Sequence, residues 1–531
     1  MEALDKVRPV KTKLYRLGWI AALLVLLGGS LLQALGGSSG ITTTSVQSWG
    51  NDDAYISYRY ARNLVEGKGL VFNPDERVEA YSNFLYVLMV APGFWVTDND
   101  GIYFFSLLLN LVLAGIAFGL FAGFLRHQLS PGKALIGVWL FALCLPLWVA
   151  VASGLETVLV LLISVAIWIT AERVAAEPSR NAVLWLSTLL ILSLLARADG
   201  FIAAGVAMLY LLLKRRFPDA ALCAVSVLAA GGVYELWRYH YYGYLLPNSY
   251  YVKVAGSPPA RIAHAFLLLK NAAIFEGLLG LLLAWLFALT EAVRRSAGNL
   301  RQLAAALRFE LVFPIFWLAY WFYIGGDHFW DRFLIIFYPL GIFALLKYLL
   351  EGANAKVLAF LAVTLVTLEV LPPLNMDPRF DFDFHKYDAW LMTGKFLKQN
   401  YPGKTLATSA LGKIAFFSEL YTEDILGLAD PVIAHRPAAG IGFEPGHMKF
   451  DPDYTLARRP DLIVEWINPN GDLRFDLTRA KYQAAGYHVE YLINTGRAVP
   501  VEPLVKAQGL DEHAIQEWVY QGYNFAVLAR Q

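Results

Sequence analysis

The chain has 531 residues, of which 57% are hydrophobic, 14% aromatic and 16% charged, and its mean hydropathy is +0.47. This composition excludes a soluble enzyme and a disordered chain, and it indicates a polytopic membrane protein. The formal net charge is +1 and no basic tract occurs, so nucleic acid is not a predicted partner. Two cysteines in apolar segments predict neither a disulfide framework nor a cysteine-rich metal site.

The N-terminus joins a basic segment, residues 1–16, to an apolar run over residues 17–36. A signal peptide has the same order, but its apolar core is only about 7–15 residues long. We therefore predict a short cytoplasmic N-terminus followed by a retained membrane span.

Eleven apolar segments come close enough to the roughly 20 residues of a membrane span to be predicted as spans. They lie near residues 17–36, 101–125, 134–150, 154–171, 182–196, 199–213, 218–238, 264–291, 309–324, 331–349 and 355–371. Lysine and arginine concentrate in every second loop, which predicts that those loops and the N-terminus are cytoplasmic. The short apolar segment 81–96, broken by Pro92 and Gly93, is predicted to lie along the outer interface.

The loops on the opposite side carry five polar motifs. They are NDDAYISYRYAR (51–62), SGLET (153–157), ARADG (196–200), RYHYYGYLLPNSYYVK (238–253) and GGDHFWDR (325–332). Charged side chains at the ends of membrane spans are costly unless they are paired or solvated, so their clustering on one side predicts a polar cavity there.

Two adjacent carboxylates, Asp52 and Asp53, begin a predicted short helix in the first outer loop, residues 41–97. Helical spacing places Asp52 on one face with Tyr55 and Arg59. Either acid could simply cap the helix and favour its positive end. The polar motifs elsewhere in the chain favour the pair as a chemical centre instead.

The other motifs offer candidate ligand contacts, each with a simpler alternative. Arg197 can bind an anionic group or form a local ion pair with Asp199 in a tight turn. Glu156 can line the cavity or serve as a helix-end acid. Lys253 can pair with phosphate or be solvated as an ordinary loop lysine.

The GGDHFWDR motif brings an acid and a histidine next to each other, but two neighbouring ligands are a weak metal signal. We predict no metal site here, and a divalent cation stays possible without being required. His328 and Arg332 are better explained as phosphate contacts. Tyr250 belongs to a tyrosine-rich stretch that can form an interfacial belt or stack on a sugar or a lipid chain.

After Pro372 and Pro373 the composition becomes that of a globular domain, residues 374–531. Alternating patterns predict helices near 387–398, 413–418 and 477–485 and strands near 405–409, 462–466 and 488–492. The fold class is thus a polytopic α-helical membrane protein of about 11 spans, residues 17–373, with a C-terminal extracytoplasmic α/β domain.

Several motifs together resemble the GT-C superfamily of polyprenyl-phosphate-dependent glycosyltransferases, and more closely the branch that contains the mycobacterial terminal arabinofuranosyltransferase. The segments that carry the resemblance are DDAYISYRYARNLVEGKGLVFNPDERVEAYSNFLY (52–86), SGLET, ARADG, LPNSYYVK, GGDHFWDRFL, ILGLADP (425–431) and GHMKFDPDYTLARRPD (446–461). Ala80 and Ser249 stand where the family pattern has glycine and threonine.

The resemblance implies a multi-pass enzyme of the inner (plasma) membrane that works on its extracytoplasmic side. It transfers a sugar, arabinofuranose as the first candidate, from a donor like decaprenyl-phosphoryl-arabinofuranose to a hydroxyl of a cell-envelope glycan or protein, with inversion. Asp52 is the expected catalytic base and Asp53 its partner or a sugar-positioning group. The expected donor-phosphate contacts are Arg59, Arg197, Lys253, His328 and Arg332. The expected sugar or acceptor contacts are Tyr55, Glu156, Asp199, Asn248, Tyr250 and Asp327.

Three alternatives differ in function. The same scaffold can transfer another lipid-linked sugar, such as mannose to protein. A transporter for a lipid-linked sugar needs charges near the membrane midplane and two repeated halves, neither of which the sequence contains. A non-catalytic assembly factor on an inherited scaffold does not explain the retained acids and bases.

Overall fold

The computed structural model describes residues 2–37, 49–327, 332–351, 387–439, 443–496 and 502–531. The predicted span near 355–371 and the predicted phosphate contact His328 lie outside these residues.

Apolar helices dominate the part of the chain that precedes residue 352. Sixteen helices are labelled here in chain order: α1 (Glu2–Gly36), α2 (Asp52–Val65), α3 (Phe84–Val90), α4 (Ile102–Gln128), α5 (Pro131–Ala142), α6 (Leu145–Ala152), α7 (Thr157–Ala176), α8 (Arg180–Ala196), α9 (Phe201–Leu213), α10 (Phe217–Tyr242), α11 (Asn248–Lys253), α12 (Pro258–Phe275), α13 (Leu278–Arg295), α14 (Leu300–Ala306), α15 (Phe309–Ile324) and α16 (Phe337–Ala344). A 3₁₀ segment, Ala91–Trp95, continues α3, and a π-helical turn, Leu345–Leu349, follows α16.

Four helices are long and apolar enough to cross a membrane, namely Tyr15–Gly36, α4, α7 and α10. Three bent helix pairs, α5 with α6, α12 with α13 and α14 with α15, bring the number to seven if each pair is one span. Shorter apolar helices at Phe84–Trp95, Arg180–Ala196, Ala198–Leu213 and Phe337–Leu349 match three further predicted spans and the predicted interfacial segment. A multi-pass membrane protein is therefore confirmed, whereas the count of eleven spans stays a prediction.

The predicted span over residues 264–291 is not one straight helix, and its crossing of the membrane stays a prediction. The segment consists of α12 and α13, which meet at an angle of 104°. The break follows from Gly277, whose φ of +73° is the left-handed conformation that ends a helix and that glycine adopts without strain.

The C-terminal domain contains a six-stranded mixed sheet. Its strands are β1 (Thr405–Thr408), β2 (Tyr421–Asp424), β3 (Leu462–Trp466), β4 (Tyr487–Ile493), β5 (Leu504–Lys506) and β6 (Phe525–Arg530), in the spatial order β2-β1-β3-β6-β4-β5. Strand β1 pairs in parallel with β2 and β3, and the remaining pairs are antiparallel. The helices are α17 (Ala389–Asn400), α18 (Lys413–Ser418), α19 (Pro431–Ala434), α20 (Pro452–Ala457), α21 (Arg479–Ala484) and α22 (Glu512–Tyr520).

Each helix and strand that the sequence predicts in this domain is confirmed to within two residues. The sequence analysis missed β2, β5 and β6, as well as α19, α20 and α22. Strand β6 is the central omission because it lies between β3 and β4 and pairs with both. The domain packs on the first loop mainly through α18, which contacts α2, and this contact positions the candidate site.

Candidate active site

Helix α2 starts at the two acids because the preceding Asn51 caps it. The Asn51 side chain accepts a hydrogen bond from the Asp53 amide at 2.9 Å. Both carboxylates then lie in the first turn, where the partial positive charge of the helix N-terminus favours them. Asn51 thus provides the side-chain cap, and the predicted helix start is confirmed.

One face of α2 is buried against the C-terminal domain. The Asp52 carboxylate accepts hydrogen bonds from the amides of Gly412 and Lys413, at 3.1 Å on Oδ2 and 2.8 Å on Oδ1. A Cβ atom on Gly412 would lie only 2.0 Å from the Asp52 carbonyl oxygen, so this approach requires glycine. Two sequence-distant segments are therefore fixed to each other at the first acid.

The environment of Asp52 alters its acidity. Burial raises the pKa of Asp52 to about 6, against the opposing effect of the backbone hydrogen bond from Lys413. A carboxyl group with this pKa is ionised at neutral pH. A general base is most effective when its pKa lies close to the operating pH, as this one does.

Asp53 faces a different environment. Its side chain is 40% exposed, and its Oδ2 lies 3.9 Å from Nη1 of Arg332. Arg332 follows the GGDHFWD sequence, more than 270 residues further along the chain, so this contact brings the first and last polar motifs together.

Glu156 is the centre of the surrounding charges. Its fully buried Oε1 lies 2.8 Å from Nη1 of Arg197 and 2.6 Å from Nη2 of Arg332. Its Oε2 accepts a hydrogen bond from Asn83 at 2.8 Å. Burial raises the pKa of Glu156, but the two arginines outweigh burial and lower the pKa to about 2.

Two further acids complete the set. Asp199 lies 3.0 Å from Nη2 of Arg197 and also accepts from its Nε. Asp327 lies 3.1 Å from Lys253 and 3.6 Å from Arg332. Burial raises the pKa of Asp327, but Lys253 and then Arg332 lower it to about 2.

These contacts define one group of side chains, hereafter the charged cluster. Its members are Asp53, Glu156, Arg197, Asp199, Lys253, Asp327 and Arg332.

Two buried donors, one on Arg332 and one at the start of the helix that carries Lys253, have no hydrogen-bond partner in the described part of the chain. They are Nδ2 of Asn248 and Nε of Arg332. Buried polar groups are nearly always paired in proteins, so unpaired donors at this position are available to a ligand with oxygen acceptors.

Three predicted contacts are placed elsewhere. Arg59 donates from Nε to the Phe72 carbonyl at 2.8 Å and from Nη2 to the Leu420 carbonyl at 2.7 Å, and its other contacts are Ala415 and Asn73. The structure therefore joins Arg59 to the C-terminal domain and not to the charged cluster.

The two tyrosine hydroxyls form hydrogen bonds with groups outside the charged cluster. Tyr55 is buried, and its hydroxyl donates to the Trp49 carbonyl at 2.9 Å. The Tyr250 hydroxyl lies 2.8 Å from that of Tyr323 at an exposed position.

Sequence reasoning missed several residues that hold the site in place. Asn83 links Glu156 to Ser57 on α2, with 3.0 Å between its Nδ2 and the serine hydroxyl. The fully buried Lys413 forms an ion pair with Asp388 at 2.7 Å. The only sequence signal for these roles was the presence of a lysine and an acid at positions flanked by apolar residues.

An apolar groove of about 410 Å³ lies between α9 and α15. It is lined by Phe201, Ile202, Gly205, Val206, Leu209, Phe316 and Tyr320. The Tyr320 hydroxyl interacts with the Asp199 carboxylate, so the groove reaches the charged cluster. Within the described residues, no group of three or more His, Cys, Asp or Glu side chains has the arrangement of a metal site.

Comparison with solved structures identifies the fold. Two structures of the oligosaccharyltransferase of Archaeoglobus fulgidus, one in the apo form and one in complex with zinc and sulfate, have TM-scores of 0.54 and 0.53. They are 12% and 13% identical to this chain, cover 93% and 90% of it, and are themselves covered to 74%. The chain therefore shares the fold of these oligosaccharyltransferase structures, and its own C-terminal domain contains a mixed sheet.

In sequence, the chain is similar to the terminal beta-(1->2)-arabinofuranosyltransferase of Mycobacterium tuberculosis (strain ATCC 25618 / H37Rv). The two are 30% identical over 227 residues, which is 39% of this chain and 35% of that protein. The match thus spans about a third of the length of this curated relative. A family model described as a domain of unknown function, DUF8728, matches residues 383–508. The resemblance drawn from the motifs is confirmed.

Proposed function

We propose that this protein is an inverting glycosyltransferase that moves a sugar, arabinofuranose as the first candidate, from a polyprenyl-phosphate donor to a hydroxyl of a cell-envelope glycan or protein. The observation that carries the proposal is the contact of Asp53 with Arg332, which joins the two adjacent acids to a buried set of arginines. The sequence similarity to an arabinofuranosyltransferase supports the choice of sugar.

The proposed donor site combines a charged and an apolar part. A polyprenyl phosphate has a charged head and an isoprenoid tail, and each CH₂ that stays in an apolar environment contributes about 0.8 kcal/mol. The groove suits the tail, and Tyr320 in its lining interacts with Asp199 and Arg197 of the charged cluster. The guanidinium of Arg332, with its unpaired Nε, and Lys253 would then stabilise the charge that develops on the leaving phosphate.

The two acids take different roles in this proposal. Asp52, whose pKa is raised to about 6 and whose orientation is fixed by two backbone amides, is the general base that accepts the proton of the acceptor hydroxyl. Asp53, about 100° further around the same helix turn, orients the donor sugar. Glu156 positions Arg197 and Arg332 and does not touch the reacting atoms.

In this proposal the site and the C-terminal domain lie on the extracytoplasmic face, as the family resemblance implies. Inversion follows from one direct displacement at the anomeric carbon. The acceptor oxygen forms the new bond, the polyprenyl phosphate leaves with the electron pair of the old bond, and the acceptor proton goes to Asp52.

The test is transfer by the purified full-length protein from radiolabelled decaprenyl-phosphoryl-arabinofuranose to an arabinoside acceptor. We expect wild type to transfer and Asp52→Asn to be slower by about 10²–10⁴-fold, the usual contribution of general base catalysis. Asp75→Asn is the matched control, because it removes an exposed acid from the same loop.

Each result separates the parts of the proposal. Donor binding without transfer by wild type means that the acceptor class is wrong. No donor binding rejects the arabinose assignment, and a panel of other lipid-linked sugars, mannose included, follows. Normal transfer by Asp52→Asn with loss of transfer in Asp53→Asn would exchange the roles of the two acids.

A further inference from the structure

A second cleft, separate from the charged cluster, lies between the first loop and the C-terminal domain. Its volume is about 270 Å³, close to the lower end of the range of about 300–1,000 Å³ typical of small-molecule sites. Its walls come from the loop around Glu76 and Arg77, from β2 and from the segments that carry Tyr454 and Arg458.

One carboxylate in this cleft has an oxygen that receives no hydrogen bond from the described residues. The Glu423 side chain is only 10% exposed, and its Oε1 lies 3.1 Å from Nε of Arg458. Its Oε2 is buried and has no hydrogen-bond partner among the described residues. A buried carboxylate oxygen without a donor is unfavourable, so it points to a ligand that brings a hydroxyl or an amine into the cleft.

The remaining lining has the chemistry of a carbohydrate site. Tyr454 presents a ring beside the Arg458 guanidinium, and its hydroxyl bonds Asp430 at 3.1 Å. Tyr421 bonds the Glu76 carboxylate. Carboxylates accept hydrogen bonds from sugar hydroxyls, guanidinium groups donate to sugar oxygens, and aromatic rings pack on the apolar faces of sugars.

The charge of the lining argues against an anionic ligand. Glu76, Glu423, Asp424 and Asp430 oppose only two arginines, so the cleft has a formal excess of two negative charges. A phosphate or the head of the lipid donor would be repelled there, whereas a neutral polyhydroxylated ligand is not.

A crevice of about 10 Å³, room for about one water molecule, adjoins this cleft on the side of α11. It shares Arg77, Val78 and Pro431 with the first cleft and reaches Asn248, whose Nδ2 is an unpaired buried donor among the residues described. Asn248 begins helix α11, and Lys253, which bonds Asp327, ends it. The six residues of α11 span about 9 Å, so this helix leads from Asn248 to the charged cluster.

We propose that the cleft at Glu423 and Tyr454 binds an outer sugar residue of a neutral acceptor glycan, at a distance from the reacting hydroxyl. The role of the bound glycan as acceptor rests on the proposed glycosyl transfer, whereas the binding of a sugar in the cleft does not. It assigns acceptor recognition to the C-terminal domain.

The test measures binding and transfer separately, on the full-length protein. Binding of a neutral arabino-oligosaccharide is measured without donor by calorimetry, for wild type, Glu423→Gln and the control Glu512→Gln. Glu512 belongs to the same domain but is 70% exposed and lies outside the cleft. We expect Glu423→Gln to weaken binding by about tenfold or more, as for the loss of a hydrogen bond to a charged group.

Transfer assays then show whether the substitution affects binding in the cleft or catalysis at the charged cluster. Glu423→Gln should raise KM for the oligosaccharide acceptor with kcat unchanged, and should leave KM for a single-sugar acceptor as in wild type. Tyr454→Phe, which keeps the ring, provides a second variant if Glu423→Gln unfolds. Equal binding by both variants and wild type, or tighter binding of inorganic phosphate than of the oligosaccharide, would overturn the inference. Oligosaccharide binding that is weakened by Glu423→Gln, without any transfer by wild type, would support the sugar-binding cleft and reject the proposed function.

Discussion

At the scale of single residues, the two adjacent acids differ because the chain surrounds them differently. Asp52 points to the amides of Gly412 and Lys413, and Asp53 points to Arg332. Neighbouring positions on a helix diverge by about 100°, so two identical side chains enter two environments. The same residue type can then serve as base and as positioning group.

The raised pKa of Asp52 predicts a pH dependence of transfer. The base must be ionised to accept a proton, and lowering the pH through about 6 protonates it. We expect the rate to be constant near neutral pH and to fall about tenfold per pH unit below the pKa. The measurement is a pH–rate profile of kcat/KM, and a rate that stays level from neutral pH to well below that pKa would contradict the assignment.

Glu156→Gln should destabilise the protein strongly. The change leaves Arg197 and Arg332 buried without their shared carboxylate, and breaking a buried ion pair costs about 3–5 kcal/mol. The measurement is thermal unfolding in detergent. Glu66→Gln is the control, because Glu66 and Lys68 form an exposed pair whose loss changes stability by about 0–1 kcal/mol. Equal melting temperatures for the two variants would mean that Glu156 is not the centre of the cluster.

At the scale of elements, the site depends on the close approach of α18 to the start of α2. Gly412→Ala would place a Cβ atom 2.0 Å from the Asp52 carbonyl oxygen, and backbone must move to relieve that contact. We expect a loss of transfer comparable to that of Asp52→Asn, with the donor still bound by the charged cluster. Gly132→Ala is the control, because none of the described atoms lies within 4 Å of the position that its new methyl group would occupy. Unchanged transfer by Gly412→Ala would show that Asp52 does not need the α18 amides.

The elements also explain which parts of the site could be predicted from sequence. Glu156, Arg197 and Arg332 were predictable because a charge at the end of an apolar segment needs a partner, and the partners lie in the other polar motifs. Helical spacing placed Arg59 on the correct face of α2. Helical spacing could not indicate that this face would contact backbone carbonyls of residues 415–420 in the C-terminal domain. That contact depends on packing between segments more than 350 residues apart.

Strands β5 and β6 illustrate a second limit. The short edge strand β5 is only three residues long, and β6 has the continuous apolar run FAVLA, which is compatible with a helix or a strand by periodicity alone. The segment forms a strand because it pairs with β3 and β4, which are distant in sequence. The broken helix at Gly277 is similar, since hydropathy registers the apolar residues on both sides and not the backbone angle between them.

At the scale of the whole molecule, the membrane-embedded part and the C-terminal domain form one catalytic unit in this proposal, because neither Asp52 nor the Glu423 cleft is complete without both. Arg59 joins them through several buried hydrogen bonds. It is 2% exposed and donates to carbonyls of Leu420 and Ala415 in the domain as well as to Phe72 in the first loop.

Arg59→Leu should therefore loosen the two parts from each other. The substitution removes the hydrogen bonds of a charged donor to three buried carbonyl groups, and each hydrogen bond of a charged group contributes roughly 1.5–3 kcal/mol. We expect faster proteolytic release of the C-terminal domain and slower transfer, while binding of the lipid donor to the charged cluster persists. Arg474→Leu, at a half-exposed position of the same domain, controls for loss of a positive charge. Because donor binding and domain release are measured on the same preparation, identical proteolysis of both variants would mean that the domain is held by its apolar contacts, α18 on α2, and not by this guanidinium.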